Sequence, residues 1–310
     1  MTVRRVAARG VLALSAVLAM ATGAGVGAAE PGGTDQCGHW TASTVSSGLG
    51  VLENLAFDGR GGLLLSEVPA SGTDGALRRI RADGSREVLA SAGSPGGIVV
   101  AGGTAYFTNG GSLISGVAGR ADGVIQALDL DRGTVSTVAR GLVAPNGLAV
   151  LPDGGFVVSR DVGTPTTLTR VAADGALTPL ATDLTSTNGL AYDPNRRKLF
   201  VSTTFEPVSA LAVLDLDRPD AAPVRITVPG YGPLNAADDL TVGPDGNVYL
   251  ALNVAGRIVR VDPESGRSCT VAEDISFPTS ARFGAGDGWD PRSLYVTSFA
   301  GTVIRLSPAA

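Results

Sequence analysis

Apolar residues along this chain come in short Val/Ile/Leu-rich runs separated by turns rich in Gly, Asp and Pro. No stretch keeps the three-to-four spacing of a long amphipathic helix, so the pattern predicts strands joined by tight turns. The pattern also repeats, with a unit of about 42 to 50 residues, the span of one propeller blade. One copy reads Gly147–Leu151, a turn at Pro152–Gly155, Phe156–Ser159, Leu168–Val171, a turn at Ala173–Gly175, then Leu177–Leu180. Another reads Leu240–Val242, Pro244–Asn247, Val248–Ala251, Arg257–Val261 and a turn at Asp262–Gly266. The Asp-Gly pairs supply the positive φ that hairpin turns need. Each unit is thus a four-stranded antiparallel meander.

Six copies begin near Gly50, Ala92, Leu142, Leu184, Tyr231 and Phe277. The last runs out after its third strand, Thr302–Leu306, while Trp40–Val45 precedes the first full copy. The expectation is an all-β, six-bladed β-propeller in which that N-terminal strand completes the last blade, removing open sheet edges. Residues 30–310 form this single domain, without a linker or low-complexity tract.

Composition supports the pattern: 43 Gly and 18 Pro in 310 residues fit a turn-rich β protein. Residues 1–29 read as a signal peptide, removed on export, with Arg4, Arg5 and Arg9 ahead of an apolar stretch from Val11 to Met20 and small residues at Ala28 and Ala29. That stretch is short for a membrane span, so the expectation is a secreted, extracellular protein with no membrane partner. The net charge of −5, with both signs interspersed, lacks the basic stripe that a phosphate backbone demands, which excludes nucleic acid. No obligate protein partner is evident. In an oxidising compartment Cys37 and Cys269 are expected to pair as a disulfide at the ring closure, the alternative being two unpaired buried thiols.

Candidate chemistry lies where the copies begin. Glu53 in Leu52-Glu53-Asn54-Leu55, Asn146 and Asn188 in two Asn-Gly-Leu-Ala segments, and Asp238 in Asp238-Asp239-Leu240 each open a first strand. In a propeller the first strands line the channel and run the same way, so these four side chains would meet at one mouth. An all-oxygen set with two formal negative charges suits a single hard divalent ion, best Ca²⁺, with Mg²⁺, Mn²⁺ or Zn²⁺ as alternatives. The competing reading makes the two Asn-Gly pairs ordinary turns and Glu53 and Asp238 surface carboxylates. Against it, Asp153-Gly154 and Asp193-Pro194-Asn195 already supply the turns that follow.

These segments, with Pro278–Gly284 and Leu294–Ser298, resemble the regucalcin/gluconolactonase (senescence-marker-protein-like) family, which is related to the bacterial drug-responsive lactonases and the paraoxonases. The likeness runs over essentially the whole chain after the leader. It implies a six-bladed propeller with a divalent metal in the channel, held by Glu53, Asn146, Asn188 and Asp238, and hydrolysis of a small-molecule lactone or ester. Asp238, or Glu53, would take a proton from the attacking water, and Asp239, Arg160 and Asn253 would contact substrate, although Arg160 and Asp161 read equally as a solvated pair. A histidine mechanism is disfavoured, because the only His is His39, far from these starts. The alternatives are a non-catalytic secreted propeller that binds a small molecule or protein, and a lyase or cyclase on the same scaffold.

Overall fold

The computed structural model describes residues 35–68 and 75–309; the expected signal peptide lies outside them. The described chain is almost entirely strand, in six four-stranded antiparallel sheets. A lead strand, β1 (Trp40–Ser46), comes first. Blade one is β2 (Val51–Phe57), β3 (Gly62–Val68), β4 (Ala76–Arg81) and β5 (Arg86–Ser91). Blade two is β6 (Pro95–Ala101), β7 (Thr104–Asn109), β8 (Gly123–Asp129) and β9 (Val135–Leu142), with helix α1 (Leu113–Val117) between its second and third strands. Blade three is β10 (Leu148–Val150), β11 (Phe156–Val158), β12 (Leu168–Val171) and β13 (Leu177–Leu180). Blade four is β14 (Thr187–Asp193), β15 (Lys198–Thr203), β16 (Val208–Asp215) and β17 (Val224–Tyr231), and the short helix α2 (Gly232–Asn235) leads out of it. Blade five is β18 (Ala237–Val242), β19 (Val248–Leu252), β20 (Arg257–Val261) and β21 (Ser268–Ala272). Blade six is β22 (Pro278–Phe283), β23 (Leu294–Ser298) and β24 (Thr302–Pro308), completed by β1, which pairs with β24 from Trp40↔Pro308 to Thr44↔Ile304.

The hairpins form where the turn chemistry demands. In the turns after β10 and β18, Gly154 and Gly246 take positive φ, and Asp153 and Asp245 accept hydrogen bonds from the backbone N–H two residues on. The inner strands β2, β6, β10, β14, β18 and β22 touch in succession and β22 returns to β2, so the ring is closed.

The core lies between blades. Phe200 and Leu211 of blade four pack against Leu240, Leu250 and Val259 of blade five, and the same layer recurs at each boundary. At the junction of the last and first blades, Phe57, Trp289 and Tyr295 form a triangle of edge-to-face rings with centroids 5.2–5.4 Å apart. The buried indole N–H of Trp289 donates to the Gly61 carbonyl at 3.0 Å, so its polar end is satisfied too.

Cys37 and Cys269 are joined, across a sequence separation of 232 residues. Cys269 sits on β21, and the backbone around Cys37 runs parallel to it, with Cys37 N–H donating to the Thr270 carbonyl at 2.8 Å. The bond therefore fastens the approach to β1 onto blade five, rather than bridging the β1–β24 pair itself. Among the described residues no helix is long and apolar enough to cross a membrane.

Closing so long a loop removes much of the freedom of the unfolded chain, about 5 kcal/mol on the entropic argument. Replacing both cysteines with serine is expected to lower the melting temperature clearly while leaving the far-ultraviolet circular dichroism of the β-fold unchanged. An unaltered melting curve would contradict this assignment.

Candidate functional site

Every blade is bonded to the main chain of the next at the same height. A side chain at or just after the end of a second strand donates to the carbonyl that opens the neighbouring inner strand. Ser66 reaches Gly96 (2.5 Å), Thr108 reaches Asn146 (2.6 Å), Ser159 reaches Asn188, and Ser202 reaches Asp238 (2.5 Å). In blade five the amide of Asn253 takes the role, donating to the Pro278 carbonyl at 3.2 Å. Blade six completes the circle from its inner strand, with the Thr279 hydroxyl on the Leu52 carbonyl at 2.9 Å.

The strand starts come very close. A Cβ on Gly147 would stand 2.3 Å from the Asn188 carbonyl oxygen, and one on Gly189 would stand 2.5 Å from the Cα of Asp239. The two Asn-Gly pairs are thus close-packing points between blades, not hairpin turns.

The pairing of each inner strand with its neighbour breaks at this level. The register slips between Leu52 and Asn54, between Thr187 and Leu190 and between Ala237 and Leu240, bracketing Glu53, Asn188 and Asp238. Asn146 precedes β10 in an equally irregular connection. Such bulges turn side chains away from the alternation of a regular strand. All four predicted positions therefore lie on interrupted backbone at one mouth of the channel.

Their side chains act on one another. Burial first, then the Asp161 and Asp239 carboxylates, push the Glu53 carboxyl from 4.5 up to about 8, opposed by a hydrogen bond with Asn146. Burial, then Glu53, holds Asp238 well above the usual carboxylate range. Burial also raises Asp161, which shares Asn146 with Glu53. Asn188 is buried; its Nδ2 donates to the Thr204 hydroxyl at 3.0 Å, while its Oδ1 is buried with no hydrogen-bond partner. A partnerless buried carboxamide oxygen beside crowded carboxylates is a donor set short of one positive charge. Among the described residues no three His, Cys, Asp or Glu side chains are grouped to hold a metal by themselves, so any cation here depends on the carboxamides. Glu53, Asn146, Asn188 and Asp238 could hold a hard divalent ion on these terms.

Around this set stand residues of two kinds. Asp239 points into a buried network, where its Oδ2 accepts from Asn54 Nδ2 (2.7 Å) and Ser280 Oγ (2.5 Å) and pairs with Arg282 (2.8 Å). Asn253 Nδ2 reaches Asp238 Oδ2 at 3.3 Å and so orients that carboxylate. Arg160 does not enter the cavity beside Glu53: its guanidinium donates to the carbonyls of Val162 and Gly116, both at 2.9 Å, tying α1 to blade three. Its neighbour Asp161 is the one that faces Glu53 and Asn146, lining with them a cavity of about 200 Å³. Asp161 was weighed from the sequence only beside Arg160, and Asn54, Ser280 and Arg282 were given no role there; these three lie two positions apart or facing one another across inner strands, a pairing visible only once the blades are closed.

Residues 73–300 match the SMP-30/Gluconolactonase/LRE-like region. The chain belongs to this family. The match takes in Asn146, Asn188 and Asp238, while Glu53 lies ahead of it. Among solved structures, a gluconolactonase from Xanthomonas campestris superposes with a TM-score of 0.65 at 19% identity, covering 86% of this chain and 89% of that one. Aldose sugar dehydrogenase from Streptomyces coelicolor, in its PQQ-bound form, gives 0.64 at 15% identity, with 87% and 98% covered. Virginiamycin B lyase from Staphylococcus aureus gives 0.59 at 12% identity, with 87% and 99% covered. At these identities the likeness establishes the shared propeller. No protein of curated function matches in sequence. As a member of the SMP-30/gluconolactonase family, the chain is a propeller of the lactonase type, whose partner is a small molecule.

Two outcomes follow from this geometry. A carboxyl whose pKa is raised on folding, from 4.5 to about 8 at Glu53, gives the folded state an extra proton between those values. Its contribution is therefore most favourable below pH 4.5 and is lost as pH rises towards 8. In chelator, the melting temperature is expected to fall across that window, and Ca²⁺ is expected to raise it more at pH 8 than at pH 5.5. A Ca²⁺ response independent of pH would refute the site. Separately, Ser159→Ala removes the hydroxyl that holds both the Asn188 carbonyl and, at 2.7 Å, the Gly147 N–H. It should cost about 1–3 kcal/mol in denaturant unfolding and weaken Ca²⁺ binding in calorimetry.

Proposed function

We propose that the protein is an exported, divalent-cation-dependent hydrolase of lactones or related esters, with Ca²⁺ the preferred ion. The observation that carries this reading is the partnerless buried Oδ1 of Asn188, on a strand start packed against that of Asp238, whose carboxylate and that of Glu53 repel one another in a gluconolactonase-type propeller. Glu53, Asn146, Asn188 and Asp238 would hold the cation; when bound, it supplies the electrostatic pull that polarises an ester carbonyl and favours the oxyanion.

The remaining work belongs to side chains. Asp238 is held on one oxygen by Asn253; burial and then Glu53 raise its carboxyl above the usual range, and a cation beside it would favour the ionised form that can act as base. It takes a proton from water as the water oxygen bonds to the acyl carbon. The ring C–O bond then breaks, and the proton passes to the departing alkoxide. Glu53 is the second candidate for this proton. Asn253 and Asp161 orient the groups around it, while Asp239, engaged by Asn54, Ser280 and Arg282, supports the strand that carries Asp238.

A panel of lactones assayed with and without chelator tests the proposal. Turnover is expected only with a divalent ion, with product heavier than substrate by one water. Asp238→Asn should lower kcat by about 10²-fold or more, and by more than Asn146→Ala or Asn188→Ala, which should act chiefly on cation affinity. Full activity in Asp238→Asn, or in chelator, would overturn the reading.

A further inference from the structure

Exposed apolar side chains of blades two, four, five and six stand around the mouth that gathers Glu53 and Asp238. In a meander whose first strand starts at this face, the second strand ends there, the third starts there and the fourth ends there. Nine of the fifteen large apolar side chains left exposed among the described residues lie on the loops and strand ends of this face. Ile114 and Val117 of α1 stand above blade two, Phe205 above blade four, Leu234 of α2 between blades four and five, Val254 above blade five, and Phe277 ahead of blade six. The other six are scattered singly along outer strands, as surface apolar residues usually are.

Helix α1 shows that the ring is built. Its buried residues are the small ones, Ser115 and Gly116, and its large ones face outward, with Ile114 and Val117 each 72% exposed. That inverts the arrangement of an ordinary surface helix. The helix is held firmly in this pose. A Cβ on Gly116 would meet Val162 Cγ2 at 2.4 Å, Arg160 bonds the Gly116 carbonyl, and Ser112 caps the N-terminus by accepting from Ser115 N–H.

The apolar ring runs into the reacting cavity. Leu113, at the start of α1, lines the cavity that holds Glu53, Asn146 and Asp161, and Val68 and Val162 form further walls. Apart from those three polar residues, the only polar side chain lining it among the described residues is that of Ser94. The guanidinium closest to hand, on Arg160, is committed to backbone carbonyls. Above that polar floor, Leu113, Ile114 and Val117 present only apolar side chains, so a hydroxyl carried over α1 would find no side-chain partner and would be penalised if desolvated there.

We propose that this site selects lactones or esters bearing an apolar tail, the tail lying over Leu113 and α1 while the carbonyl reaches the acidic mouth; polyhydroxylated sugar lactones are poor substrates. The inference rests on the hydrolytic reading above and specifies its substrate class. The test is a series of γ-lactones with 4-alkyl substituents from methyl to octyl, run beside glucono-1,5-lactone. kcat/KM should rise about two- to fourfold per methylene over the first several carbons, as apolar surface leaves water, and glucono-1,5-lactone should fall below the octyl member. Ile114→Ser/Val117→Ser should flatten the rise, and Leu113→Ser alone, at the start of α1, serves if that variant does not fold. Calorimetric binding of the matching alkyl lactams, which are not turned over, separates the two layers of the argument. Turnover without chain-length dependence, or with the sugar lactone preferred, overturns the tail proposal and leaves hydrolysis standing. Absence of any turnover while lactam affinity still grows with chain length removes hydrolysis and upholds apolar recognition. Binding to phosphatidylcholine vesicles without any chain-length dependence would assign the ring to a lipid surface and overturn the proposal.

Discussion

The circle of side-chain donors on opening carbonyls is what the rest of this molecule depends on. Blade-to-blade packing is otherwise apolar and non-directional, able to tolerate small slips. A hydrogen bond of about 2.5–2.9 Å from Ser66, Thr108, Ser202 or Thr279 is not tolerant in that way: it fixes the height at which each inner strand begins relative to the last. Because the circle closes on Leu52, an error in one blade would have to be absorbed by the other five. The glycines at 147 and 189 allow the backbones to approach closely enough for these bonds to form.

That circle also explains how four of the six starts can carry the acidic and amide side chains of the proposed cation site. In blades three, four and five the residue whose carbonyl is held is itself Asn146, Asn188 or Asp238. In blade one the held residue is Leu52 and Glu53 follows it at the bulge. In blades two and six the corresponding residues are Gly96 and Pro278, which have no donor to offer. Since the atoms held at these positions are carbonyls, the side-chain oxygens there, Asn188 Oδ1 among them, are left for chemistry. Burying several carboxylates together is unfavourable, which is why burial and then their mutual repulsion raise the pKa of Glu53 and Asp238, and the frame must supply the stability that keeps them there.

Much of this was legible in the sequence. The six meanders, the closing strand, the Cys37–Cys269 pair and the common level of Glu53, Asn146, Asn188 and Asp238 all follow from period, turn chemistry and cysteine count, because each is a local or repeating signal. What was not legible depends on contacts between blades. Ser159 and Ser202 read as unremarkable strand residues until their hydroxyls are seen on the next blade's carbonyls. Arg160 read as a substrate contact or, with Asp161, as a solvated pair, yet the first braces α1 and the second faces Glu53. Asn-Gly carries a strong turn signal, and only the approach of Gly147 to Asn188 shows that here it serves packing.

The two halves of the mouth answer different physical demands. Its floor is set by the inner strands, whose register the donor circle fixes, so the acidic and amide groups there are held rigidly and at a cost in repulsion. Its rim is set by loops and by α1 and α2, which attach through Arg160, Gly116 and Asn235 rather than through the circle. Rim residues such as Ile114 and Phe277 can therefore vary without disturbing the floor, and a change of ligand class needs no change of frame. Chemistry and selectivity are separable in this fold because separate sets of hydrogen bonds hold them.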